Sequence, residues 1–213
     1  IIGLSRGIHW GVLMRWALAP EDWFLLRSSI NWAMKLTMVL VLFGAFYLTF
    51  DTSLGHFYGF TFRKFNMNPY LTLLGIALFF IIIGSFFGDL QSYYPRYKVD
   101  HGLSFAVHHE VPTWVSVLIY ESTYATSFIT VEFIFRGFLI YAFVKYFGPY
   151  AILPMVATYC FLHFGKPATE TLSSIFGGYV LGIIALKNKN IWGGVVVHVG
   201  VAWSMELFGY LQT

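Results

Sequence analysis

Between Lys64 and Asp89 the chain runs for 24 residues without an Asp, Glu, Lys or Arg. About 20 apolar residues in a helix cross the roughly 30 Å hydrocarbon core of a bilayer. Lipid offers no partner to a bare backbone group, so a run of this kind in lipid must be helical. Similar runs recur. Fifteen uncharged residues separate Lys35 from Asp51, and residues 30–33 lengthen that run if Lys35 reaches to the interface. Tyr146 to Gly165, Thr171 to Leu186 and Asn190 to Met205 are also free of formal charge. Val111 to Phe147 is apolar over 37 residues except for Glu121, Glu132, Arg136 and Lys145. As one straight helix that stretch would reach about 55 Å, so it tilts or breaks, and Gly137 permits a break.

These runs predict an all-α polytopic membrane bundle of about six transmembrane helices, near 30–50, 68–89, 113–147, 150–164, 169–187 and 190–210. Residues 8–19 read as a short interfacial helix carrying Trp10 and Trp16. The links Gly148–Pro149, Gly165–Lys166–Pro167 and Lys187–Asn188–Lys189 are too short for anything but antiparallel hairpins. Two longer polar loops, 51–67 and 90–111, separate the earlier spans. The division expected is 1–112, with the interfacial helix and two spans, and 113–213, a four-helix core. The pairs Gly177–Gly178 and Gly193–Gly194 mark close helix packing.

Composition closes off other classes. With 58% hydrophobic and 11% charged residues, the chain is too apolar for a soluble domain. A net charge of +3 is too weak and scattered for a nucleic-acid surface, so no nucleic-acid partner is expected. The single Cys160 forbids an internal disulfide. No basic stretch precedes a short apolar run with a small-residue cleavage site, so no removable signal peptide is expected. Internal repeats, the mark of many small transporters, are absent from the sequence.

Ionisable groups inside a bilayer are costly and by default mark function. Glu132 and Arg136 are four apart and share a helix face. His163 ends the fourth span and His198 lies midway along the sixth. These four residues are the candidate catalytic set, and Glu121, Glu170 and Glu206 are auxiliary acids. Glu170, in the first turn of the fifth helix, is also explained by the helix dipole. Glu121 fits an interfacial position near the start of its helix. Cys160 is a helix neighbour of His163, and a buried thiol is usually inert. Two His and a Glu could hold zinc, but no His-Glu-x-x-His pair is present and Arg136 would repel a cation, so no metal or other cofactor is expected. What remains is a water activated by a carboxylate and a His, with the second His donating to the developing oxyanion.

The segment Glu132-Phe133-Ile134-Phe135-Arg136-Gly137-Phe138-Leu139 resembles the first motif of the CAAX-protease and bacteriocin-processing (CPBP) family of intramembrane glutamic-type endopeptidases. That motif is Glu-Glu-x-x-x-Arg. Tyr159-x-x-x-His163 resembles the second, Phe-x-x-x-His. His198-x-x-x-Ala202 resembles the third, His-x-x-x-Asn or Asp. The resemblance covers about residues 113–210 and departs from the family in two places. Val131 stands where the family has its first Glu, the residue usually assigned as the base. Ala202 stands where the side-chain partner of His198 would be.

The resemblance implies an intramembrane endopeptidase in the bacterial inner membrane. Its partners would be the lipid bilayer and a membrane-associated protein or peptide substrate, with a complex with a further membrane protein also open. Three states of the site are open: Glu132 takes the base role, Glu170 or Glu206 substitutes from another helix, or hydrolysis is lost and the protein acts by binding membrane partners.

Overall fold

A computed structural model describes residues 17–212. Within them 80% of the chain is helical and no strand occurs. The expected interfacial helix falls mostly on residues 8–16, outside the described residues, and 17–19 form a turn. The α-helices are α1 (Trp23–Phe46), α2 (Asn68–Gly84), α3 (Gly88–Tyr93), α4 (Val99–His108), α5 (Thr113–Glu132), α6 (Ile140–Phe147), α7 (Ile152–Phe161), α8 (Ala168–Asn188) and α9 (Trp192–Gln212). A π-helical stretch, Phe133–Leu139, joins α5 to α6.

The bundle is helical and polytopic as expected, but its spans differ in detail. Four helical stretches are long and apolar enough to cross a membrane by length and composition: Trp23–Leu54, Thr113–Phe161, Ala168–Asn188 and Trp192–Gln212. The expected crossing at 68–89 is the shorter helix Asn68–Gly84, closed at Ser85 by the bond of its N–H to the Ile81 carbonyl. The expected fourth crossing is the ten-residue α7, about 15 Å long. Gly137 does not break its helix. It lies in the π-spaced stretch Phe133–Leu139, and the Tyr58 carbonyl would be 2.6 Å from a Cβ placed on it. The turn comes at Gly148, in the expected Gly148–Pro149 link, and its φ of +54° and ψ of −142° suit only glycine. The polar loop 90–111 is largely helical, as α3 and α4.

The described residues form two compact units. One comprises residues up to 42 together with 96–130. Its core is Leu25, Tyr97, Phe105 and Tyr120. The Tyr97 hydroxyl passes over Gly102, where any Cβ would overlap it, to meet Ser116 Oγ at 2.8 Å. Ser29 and Thr123 join α1 to α5 through their hydroxyls, 3.1 Å apart.

The other unit comprises 43–95 and 131–212. Here α7 returns beside the π stretch, with the rings of Phe135 and Tyr159 5.3 Å apart. Along α8, Gly178 and Gly182 admit Tyr159, Met155 and Ile152 of α7, so the two helices approach to backbone distance. Along α9, Gly193 and Gly200 admit Tyr70 and Leu74 of α2. Gly177, by contrast, faces open space. The start of α9 is fixed by Asn190, which is 1% exposed. Its Oδ1 accepts from the Trp192 N–H at 2.8 Å, and its Nδ2 donates to the Thr61 carbonyl at 2.8 Å. Large apolar side chains left exposed, such as Leu48, Phe79, Phe80 and Phe176, suit a lipid-facing surface.

Candidate functional site

The second unit carries a chain of polar contacts through its interior, and it begins at Glu132. Both Glu132 and Arg136 are fully buried. One helical turn apart, they face each other with Arg136 Nη1 3.0 Å from Glu132 Oε1. Glycine at position 194 makes room for the acid, since a Cβ there would overlap Glu132 Oε2 and lie 2.6 Å from its carboxyl carbon. One turn further along the same helix, His198 brings Nδ1 to 2.7 Å from Glu132 Oε1. Gly194 and His198 thus act from one face of α9, the first as a gap and the second as a ligand of the carboxylate.

Tyr159 is the next link. Its hydroxyl is 2.6 Å from His198 Nε2, and the Arg136 guanidinium lies over its ring, 4.1 Å from the centroid. His198 therefore meets a polar partner at each ring nitrogen even though Ala202 offers none.

His163 lies beyond the end of α7 in a turn that Thr171 holds by donating its hydroxyl to the His163 carbonyl at 2.8 Å. The His163 ring packs on Tyr159, centroids 4.7 Å apart. Its Nδ1 is 3.3 Å from the Tyr159 carbonyl. A carbonyl only accepts, so Nδ1 carries the proton and the Nε2 lone pair is left facing outward. Burial, and after it the Lys166 ammonium, push His163 down to about 3, so the ring is neutral near pH 7.

Facing Nε2 at 3.9 Å is Glu170 Oε1. Glu170 is held from two sides: Lys166 Nζ reaches the same oxygen at 2.6 Å, and the Tyr94 hydroxyl donates to Oε2 at 3.1 Å. The dipole-and-capping explanation of Glu170 does not account for these contacts. The start of α8 is capped by Asp89, whose Oδ2 accepts from the Ala168 N–H at 3.0 Å.

The structure thus brings together Glu132, Arg136, His198 and Tyr159, and beside them His163 with Glu170. Glu206 is buried on α9. Glu121 belongs to the other unit. Cys160 Sγ is 4.0 Å from the Thr171 carbonyl, a packing contact. Sequence reasoning gave no chemical role in the site to Tyr159, Lys166 or Tyr94, and read Gly194 only as a close-packing glycine. The signals for two of them were present: a tyrosine hydroxyl in a motif position that otherwise calls for Phe, and a glycine one turn before His198.

A family model, type II CAAX prenyl endopeptidase Rce1-like, matches residues 102–204. Over these residues the chain is similar to the Rce1-like family. The match includes Glu132, Arg136, Tyr159, His163, Glu170 and His198, and stops just short of Glu206. No curated protein and no solved structure matches the chain.

Proposed function

We propose that the protein is an intramembrane endopeptidase in which Glu170 and His163 activate the water. The 3.9 Å between Glu170 Oε1 and His163 Nε2 carries the reading. It is too long for a direct hydrogen bond and suits one water donating a hydrogen to each group. Oxygen of that water attacks the peptide carbonyl carbon. Its proton passes to the Glu170–His163 pair and from there to the leaving amine as the C–N bond breaks. Negative charge develops on the carbonyl oxygen as the water attacks and is lost again when the C–N bond breaks. Tyr159 packs on the His163 ring, and its one hydroxyl hydrogen would meet that oxygen when His198 Nε2, with Nδ1 anchored by Glu132, itself donates to the tyrosine oxygen.

In this reading Glu132 is the anchor of His198 and not the base. It is fully buried and committed to Arg136 and His198. Glu170 stands in for the carboxylate missing at Val131, reaching the site from α8 and not from α5. The substrate is a membrane-associated protein or peptide, and the family's printed activity makes a prenylated C-terminal peptide the first to try. The bacterial inner membrane is the proposed location.

The test uses the full chain in proteoliposomes with a farnesylated fluorogenic peptide and an unprenylated membrane-anchored one. Glu170→Gln and His163→Ala should each lower cleavage by about 10²–10⁴, the usual size of general-base loss. Glu132→Gln should lose stability as well, because it leaves Arg136 buried without its counter-charge, at a cost of about 3–5 kcal/mol. Full cleavage by Glu170→Gln would return the base role to Glu132. No cleavage by the wild type of any membrane peptide offered, together with binding of one, would favour the non-catalytic reading that Val131 also favours.

A further inference from the structure

Away from the site just described, in the unit formed by residues up to 42 and 96–130, three side chains converge from two segments. Asp22 precedes α1, and His108 and His109 close α4. One donor atom from each lies within 4.8 Å of the other two. We propose that Asp22, His108 and His109 bind a divalent first-row cation of the zinc class.

Donor chemistry and anchoring both support this. Two imidazoles and one carboxylate, with a fourth position left to solvent, form an open tetrahedral zinc set. Zinc bonds of about 2.0–2.1 Å place neighbouring donors near 3.3 Å apart. His109 Nε2 and Asp22 Oδ1 are 2.7 Å apart, so these two need separate only slightly to admit the ion. The backbone holds both segments. The Asp22 N–H donates to the Ala19 carbonyl at 3.1 Å and its carbonyl accepts from the Leu26 N–H at 2.9 Å. His109 is fixed by its N–H on the Phe105 carbonyl at 3.1 Å and by the Phe105 ring, 4.5 Å from its own. Asp22 is buried whereas both imidazoles are exposed, so a cation has a path in and a fixed acid to meet. Around His163 and His198, by contrast, Arg136 and Lys166 oppose a cation.

His108 separates this proposal from a plain ion pair. A hydrogen bond between Asp22 and His109 needs nothing from His108, whereas a three-donor site does. The full chain, purified in detergent and stripped with a chelator, is titrated with Zn²⁺ alone, and bound metal is counted by elemental analysis. One zinc per chain is expected in the wild type and in His163→Ala. His108→Ala, His109→Ala and Asp22→Asn should each lose affinity by about 10–100-fold or more, a size reached even by outer-shell partners of a metal. Zinc should raise the thermal midpoint of the wild type and not of these three variants. Far-ultraviolet circular dichroism keeps a misfolded variant from counting as a loss. Absence of stoichiometric zinc in the folded wild type, or equal zinc in His108→Ala and Asp22→Asn, would overturn the proposal.

Discussion

Tyr159 shows how one side-chain atom changes what a motif can do. A phenylalanine there would keep the ring against Phe135 and under Arg136 but would leave His198 Nε2 without the hydroxyl now 2.6 Å away. Tyr159→Phe is therefore expected to lower kcat by about 10²–10³, the size of one lost oxyanion donor. Its folding stability should fall by only about 1 kcal/mol, one neutral hydrogen bond. Cleavage unchanged in the variant would reduce Tyr159 to packing. At this scale much was legible: Glu132 and Arg136 share a face by spacing alone, and His163 and His198 stand out as polar residues in apolar runs. The partner of His163 was not decidable. Glu170 follows Pro167 in a first helical turn, where the dipole alone explains an acid. Only the fold shows Asp89 capping that helix and Glu170 turned toward the imidazole.

Among the elements, the glycines separate into those that bend the chain, those that admit a neighbour and those that do neither. Gly148 reverses the chain with a backbone that other residues avoid. Gly148→Ala should cost about 1–3 kcal/mol in detergent unfolding, the range for a non-glycine residue in such a conformation. Gly177→Ala, in open space within α8, should be neutral or stabilise by up to about 1 kcal/mol. Equal effects of the two would remove the distinction. Hydropathy located the helices well because charge spacing controls where a chain can enter lipid. The short Gly148–Pro149 link marked the turn, but nothing in the sequence said that Gly137 would be a contact and not a break. That depends on the Tyr58 carbonyl, which lies far off in sequence. Nor could it show that 90–111 is helical, since the amphipathic α4 is too short to signal itself.

For the molecule as a whole, the neutral state of His163 couples folding to acidity. Its pKa is lowered from the ordinary 6.5 to about 3 in the fold, so the unfolded chain binds a proton that the folded chain refuses between those values. Its contribution to stability is complete above pH 6.5 and is lost as pH falls from 6.5 toward 3. Thermal midpoints measured across that window should fall less steeply for His163→Gln, which cannot take up the proton. Parallel slopes for the two proteins would show that other groups set the acid limit.

The cradle that Gly194 makes for Glu132 ties together the fates of two positions 62 residues apart. Gly194→Ala alone should cost about 1–3 kcal/mol by overpacking. The same alanine beside Glu132→Ala should cost far less than the two single changes added together, the mark of neighbours in a double-mutant cycle. In descent, that makes the pair a ratchet. While the acid is kept, the glycine is locked; once the acid goes, any small residue can drift in behind it, and the way back to a buried carboxylate is closed.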